Sequence, residues 1–161
     1  MATEKIPFSD WTSPGMVLCI DDDQTTLEVM KSILEMNGYS VQTSSDWCST
    51  LAILKQNAID AVIVDYEMPG MSGYEAALRI RNICPEAPII LHSDSLVPDL
   101  ASKRIDACIP KGTDPAAMVA AVSGLMMKGH TRQGGNVVCM EEKVNAQGQE
   151  IEQPIALAIV A

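Results

Sequence analysis

The chain has 161 residues and a formal charge of −10, with 21 acidic against 11 basic side chains, which predicts one domain with a core of ordinary size. So acidic a chain has no basic stripe, which argues against nucleic acid and against an anionic membrane surface as partners. Its five cysteines stand singly, with no Cys-x-x-Cys pair, and read as small buried hydrophobes in a reducing compartment rather than as metal ligands or disulfides.

The start, MATEKIPFSDW, lacks the apolar stretch of a signal peptide, and residues 1–15 read as a polar N-terminal arm. Met16–Ile20 (MVLCI) is a short apolar run stopped by acids. Leu27, Met30, Ile33 and Leu34 recur at helical spacing within Thr25–Met36, with Gly38 as a stop. Tyr39–Thr43 is a short alternating strand. Ser45 or Asp46 can cap a second helix that runs to about Asn57. Ile59–Val64 is the next apolar strand, and Ser72 or Gly73 opens a helix through Ala76, Ala77, Ile80 and Ile83. Pro85 and Pro88 separate it from the apolar strand Ile89–His92. A weak helix near Leu96–Arg104 leads to the short strand Ala107–Ile109. Asp114-Pro115 begins a last helix, with proline at the first helical position, which is expected to run to about Lys128 and stop at Gly129. Val137–Met140 and Ile155–Val160 are read as two extra strands or as parts of a disordered tail. The longest apolar stretches fall short of the ~20 residues of a membrane span, so a soluble cytoplasmic protein is expected.

Strand and helix thus alternate five times, and three strands are apolar throughout, as strands covered on both faces are. The expected fold is α/β: a doubly wound, five-stranded parallel sheet of the flavodoxin-like type in a three-layer sandwich. The domain is placed at residues 16–129, with 130–161 as a C-terminal extension. Ligands of such sheets sit beyond the carboxyl ends of the strands.

Those ends carry chemistry. The first strand delivers Asp21, Asp22 and Asp23, the third Asp65, the fourth Ser93 and the fifth Lys111. Any one of these has an ordinary explanation. An acid after a strand commonly caps a helix, a serine commonly serves a turn, and a lone lysine is commonly solvated. His92 is read in that way, as a strand residue pointing away from the site and satisfied by backbone. In a parallel sheet, however, the rest gather on one edge. Carboxylates clustered there repel one another unless cations compensate. Lys111 is one cation, and a hard divalent ion such as Mg²⁺, which takes oxygen ligands, would be another. Carboxylates, a hydroxyl and an ammonium around Mg²⁺ suit phosphoryl transfer, with a carboxylate as nucleophile.

These motifs resemble the receiver domain of two-component response regulators. VLCIDDDQ is similar to that family's first-strand acidic pair, VIVDYEMPGMSG to its phosphoacceptor segment, PIILHS to its Thr/Ser position and ACIPKG to its lysine, in order over roughly Met16 to Gly129. The resemblance implies a bacterial phosphorelay protein rather than an enzyme. Asp65 would take a phosphoryl group from a sensor histidine kinase or a histidine phosphotransfer protein. Asp21, Asp22, Asp65 and the backbone carbonyl of Glu67 would hold Mg²⁺, with Asp21 acting more through water. Ser93 and Lys111 would hold the phosphoryl oxygens, and their movement would switch the binding of an unidentified downstream protein. There are departures as well. Asp94 follows Ser93, Ile109 is aliphatic in a strand where many relatives carry Tyr or Phe, and Gly112 follows the lysine where proline is usual. The segment from Ser93 to Lys111, with Pro98 inside it, is about one helical turn short.

The resulting expectation is a stand-alone receiver, with a homodimer as one state open to it. Two alternatives stand beside it. One is a degenerate receiver that binds partners independently of phosphorylation. The other is a haloacid-dehalogenase-type phosphatase, because IDDDQTTL also fits an Asp-x-Asp-x-Thr opening with Asp21 as nucleophile and Asp23 as acid/base.

Overall fold

In the computed structural model, residues 14–94 and 104–132 are described. The elements are β1 (Met16–Ile20), α1 (Gln24–Met36), β2 (Ser40–Ser44), α2 (Trp47–Gln56), β3 (Ala61–Asp65), β4 (Glu67–Met68), β5 (Met71–Ser72), α3 (Gly73–Ile83), β6 (Ile89–Ser93), β7 (Ala107–Pro110) and α4 (Pro115–Arg132). β1, β2, β3, β6 and β7 form one sheet in the order β2-β1-β3-β6-β7, every pair parallel. That order belongs to the flavodoxin-like doubly wound sheet.

Strand alternation sorts the core into two layers. Val17, Cys19, Ala61, Ile63, Ile90 and Ile109 pack with Leu27, Met30 and Leu34 of α1 and with Met118, Val122 and Met126 of α4. On the other face Leu18, Ile20, Val62, Val64, Ile89 and Leu91 pack with Leu54 of α2 and with Ala76, Ala77 and Ile80 of α3. Helices on both faces explain why these strands are apolar at every position.

The helix starts follow from side-chain caps. Asp23 accepts from the Thr25 N–H at 2.9 Å, Asp46 from the Ser49 N–H at 2.8 Å and Ser72 from the Glu75 N–H at 3.2 Å. Asp114 accepts from the Ala116 N–H at 3.1 Å just before Pro115. After α1 the chain reverses at Gly38, φ +90°, whose N–H donates to the Glu35 carbonyl at 3.0 Å, a turn that needs the left-handed conformation glycine adopts freely.

Two expectations are corrected. The strand expected from Ile59 begins at Ala61, because Asp60 is spent on β1: its N–H donates to the Met16 carbonyl at 2.8 Å and its Oδ2 accepts from the Met16 N–H at 2.7 Å. The last helix does not stop at Gly129 but continues to Arg132. A glycine inside a helix costs about 1 kcal/mol relative to alanine, which weakens a helix without ending it. Met68-Pro69-Gly70-Met71 closes a two-stranded antiparallel hairpin of β4 and β5, with Gly70 at φ +80°. The helix expected near Leu96–Arg104, most of the N-terminal arm and the two expected strands of the extension lie outside the described residues. Among the described residues, no helix is long and apolar enough to cross a membrane.

Candidate functional site

β1 is flanked by β2, which it precedes in the chain, and by β3, so the chain direction across the sheet reverses there. The crevice of a doubly wound sheet opens at the carboxyl side of this switch point. Asp21 and Asp22 leave the tip of β1 and Asp65 ends β3, which places them at that crevice. Carboxylate oxygens of the three acids lie within 4.8 Å of one another.

The contacts within the cluster are specific. Asp21 is fully buried; its Oδ1 accepts from the Asp23 N–H at 2.9 Å and its Oδ2 lies 3.5 Å from Lys111 Nζ. Asp65 is 2% exposed. Its Oδ1 accepts from the Glu67 N–H at 3.2 Å and sits 3.1 Å from Lys111 Nζ, while its Oδ2 is buried with no hydrogen-bond partner. Asp22 is exposed at the mouth, beside an open cavity of about 500 Å³ that Tyr66, Glu67 and Ser72 also line.

The electrostatics show a cluster short of positive charge. Burial, opposed by the Asp23 N–H and Lys111, holds the Asp21 carboxyl above its ordinary value. Burial does the same to Asp65, with Lys111 opposing it and the Asp21 charge adding to it. Burial alone would lower Lys111, but its hydrogen bond to Asp65 and the charges of Asp21 and Asp65 outweigh that and raise it. One ammonium serves two buried carboxylates. Oxygen donors at this spacing, one of them without a partner, fit a hard divalent cation such as Mg²⁺.

The remaining strand-tip residues take ordinary backbone positions around this center. Ser93 is buried at the end of β6, and its carbonyl accepts from the Lys111 N–H at 2.9 Å, so the tip of β6 fixes where the lysine leaves β7. The Lys111–Gly112 peptide is trans and Gly112 turns at φ +79°, with Thr113 Oγ1 donating to the Pro110 carbonyl at 2.6 Å. Asp94 is exposed. Asp23 is committed to α1: its carboxylate accepts from the Thr25 N–H and, at 2.9 Å, from Thr26 Oγ1. An acid held as a helix cap is poorly placed to act as the acid/base of the phosphatase alternative.

Two site residues were missed in the sequence. Gly73 packs so closely on the end of β3 that a Cβ there would meet the Asp65 carbonyl oxygen and come within 2.6 Å of Tyr66 Cα. Its N–H donates to the Tyr66 carbonyl at 2.8 Å. The serine-glycine pair that opens α3 was the available signal. His92 corrects an expectation outright. It pairs with Asp65 in the sheet register and shares its face, it is 5% exposed, and its Nδ1 has no hydrogen-bond partner. A single strand does not reveal which neighbor's register partner it will be, so its face could not be read from PIILHS alone. Among the described cysteines none is in a disulfide, and burial, with the Asp21 charge, pushes the Cys19 thiol up to about 12.

A family model described as the response regulator receiver domain matches residues 17–123. Among curated proteins, the response regulator MprA of Mycobacterium sp. strain KMS is 33% identical over 78 residues, which is 48% of this chain and 34% of that protein. The sensor histidine kinase RcsC of Salmonella typhimurium strain LT2 is 28% identical over 113 residues, 68% of this chain and 12% of that protein. The chain therefore spans about a third or less of these curated relatives. Among solved structures, the response regulator TrrA of Thermotoga maritima, in complex with Mg²⁺-BeF, is 31% identical with a TM-score of 0.64, covering 69% of this chain and 98% of that one. A CheY-like receiver domain protein of Methanospirillum hungatei, at 22% identity and a TM-score of 0.66 over 73% of this chain and 97% of that one, shares the fold. Together with the five-stranded sheet and the acids at its switch point, the match places this chain in the response regulator receiver domain family.

Proposed function

We propose that the chain is a Mg²⁺-dependent phosphoryl acceptor in which Asp65 is the nucleophile, and that its phosphorylation switches contacts with another protein. The observation that carries this reading is the state of Asp65: one oxygen tied to Lys111 and the Glu67 N–H, the other buried and without a partner. A bare carboxylate oxygen in a low-dielectric crevice is costly unless it has work to do in another state.

In the step proposed, Asp65 Oδ2 attacks phosphorus, the bond between phosphorus and the donor's imidazole nitrogen breaks, and its electron pair stays on that nitrogen. The donor is a sensor histidine kinase or a histidine phosphotransfer protein. The Asp21, Asp22 and Asp65 carboxylates with the Glu67 carbonyl would hold Mg²⁺, which when bound would supply positive charge against the transferring phosphoryl oxygens. Lys111 keeps Asp65 ionized before transfer and pairs with the phosphoryl group afterward. The Ser93 hydroxyl donates to a phosphoryl oxygen.

The test is incubation with Mg²⁺ and acetyl phosphate, read by intact mass. A phosphoryl adduct is expected on the wild-type chain, lost in Asp65→Asn and lost when Mg²⁺ is chelated. An adduct that survives Asp65→Asn overturns the assignment of the acceptor. A wild-type chain that never takes the group overturns the switch and leaves the phosphorylation-independent interaction module in its place.

A further inference from the structure

The sheet order carries an inference about His92. Asp65 lies on β3 and Lys111 follows β7, and β6 runs between them. The 3.1 Å contact of Lys111 Nζ with Asp65 Oδ1 therefore crosses over β6. The β6 residue in register with Asp65 is His92, which is also in register with Ile109, two residues before Lys111. Alternation sets Asp65, His92 and Ile109 on one face, and Lys111 leaves the end of β7 just beyond them. His92 is thus the β6 residue level with the Asp65 end of the ion pair.

Packing alone does not account for a histidine in this place. A leucine would fill a buried strand position without leaving a bare polar atom, and a bare atom in a low-dielectric site is unfavorable. A neutral imidazole keeps one nitrogen as an acceptor. Lys111 has three N–H donors, and its ion pairs here are with Asp65 and Asp21.

We propose that His92 is a positioning residue for phosphoryl transfer: its ring is the floor over which Lys111 reaches Asp65, and its Nδ1 accepts a hydrogen bond from the Lys111 ammonium when a phosphoryl group is loaded. The transfer chemistry in this inference rests on Asp65 being the acceptor, whereas the seating of Lys111 on His92 does not.

The experiment uses the full chain and its His92→Leu and His92→Gln variants. Three quantities are measured: thermal stability, the rate of phosphorylation by acetyl phosphate with Mg²⁺, and the ¹⁵N signal of the Lys111 ammonium without any phosphodonor. His92→Leu is expected to be as stable as wild type or more so, since the orphaned atom is gone. It is nevertheless expected to take up phosphate about tenfold more slowly, the factor that accompanies loss of one charge-assisted hydrogen bond, and to shift the Lys111 signal. His92→Gln, which keeps an acceptor, is expected to recover most of the rate. A folded His92→Leu with wild-type rate and an unmoved Lys111 signal overturns the proposal, and so does a His92→Gln as slow as His92→Leu. If the wild-type chain takes no phosphoryl group, the acceptor reading fails on its own, and the Lys111 signal in the two variants decides the role of His92.

Discussion

Substitution of Gly73 by alanine tests how the acceptor strand is held. A Cβ at this position would lie 2.6 Å from Tyr66 Cα and 2.8 Å from the Asp65 carbonyl carbon, where contacts under 3.0 Å are essentially never seen. Reaching an ordinary separation of 3.4 Å requires the start of α3 and the end of β3 to part by at least about 0.8 Å at Tyr66 Cα, and by more at the Asp65 carbonyl oxygen, which is nearer still. Both sides are backbone, so no flexible side chain can yield. Overpacking of this kind costs about 1–3 kcal/mol or more, and the parting stretches the 2.8 Å bond from the Gly73 N–H to the Tyr66 carbonyl, worth about 1 kcal/mol. Alanine returns at most about 1 kcal/mol of helix propensity. The net expectation is a loss of about 3 kcal/mol, or roughly 10 °C in Tm for a domain of this size, read by thermal unfolding. Gly112→Ala is the control. Its φ of +79° is strained for alanine, but nothing lies within 4 Å of the added Cβ, so only about 1–2 kcal/mol is expected. A Gly73→Ala protein within about 3 °C of wild type, or no worse than Gly112→Ala, would refute the argument that close backbone approach positions Asp65.

Lys111→Ala removes the cation shared by two buried carboxylates; a loss of about 3 kcal/mol is expected, read by urea titration, and Mg²⁺ should restore part of it. Because Asp21 and Asp65 titrate above their ordinary value of 3.8, the folded state binds more protons than the unfolded one just above that pH, so stability should fall as pH rises through this window. Asp65→Asn should flatten the fall and raise stability at neutral pH, measured as Tm against pH without Mg²⁺. Arg81 donates to the carbonyls of Pro85, Ala87 and Arg104 and to Asp106 Oδ2 at 2.7–3.0 Å, so Arg81→Ala should cost about 2–3 kcal/mol by chemical denaturation while leaving phosphorylation by acetyl phosphate intact.

Most of the sheet and most of the candidate site could be read from local pattern. Met16–Ile20 and Ile89–His92, with the Asp21-Asp22 pair and the Ser93 that follow them, are short-range features, and an apolar strand buried on both faces looks the same wherever it sits in a parallel sheet. The caps Asp46 and Ser72 were legible for the same reason, since each acts on a backbone N–H three residues away. What was missed depends on pairing between distant segments. His92 could be placed on the Asp65 face only from the β3–β6 register. Asp60 left its strand because of a contact 44 residues away. The persistence of α4 through Gly129 depends on the whole helix, and no single residue announces it.

The same geometry explains why charge at the crevice is left unbalanced. The fold could have satisfied Asp65 fully: a second donor near Oδ2 would lower its pKa and stabilize the domain. On the proposed reading, such a donor would also hold the oxygen that attacks phosphorus, and a second permanent cation beside Lys111 would take the place of Mg²⁺. Among the described residues, three polar atoms stay buried without hydrogen bonds on this edge of the sheet, Asp21 Oδ2, Asp65 Oδ2 and His92 Nδ1. On the two proposals made above, each is a cost to the resting fold that would fall away when a cation and a phosphoryl group arrive. A state whose orphaned atoms are satisfied only when loaded gives the loaded state its differential free energy, and that difference is what any conformational switch requires.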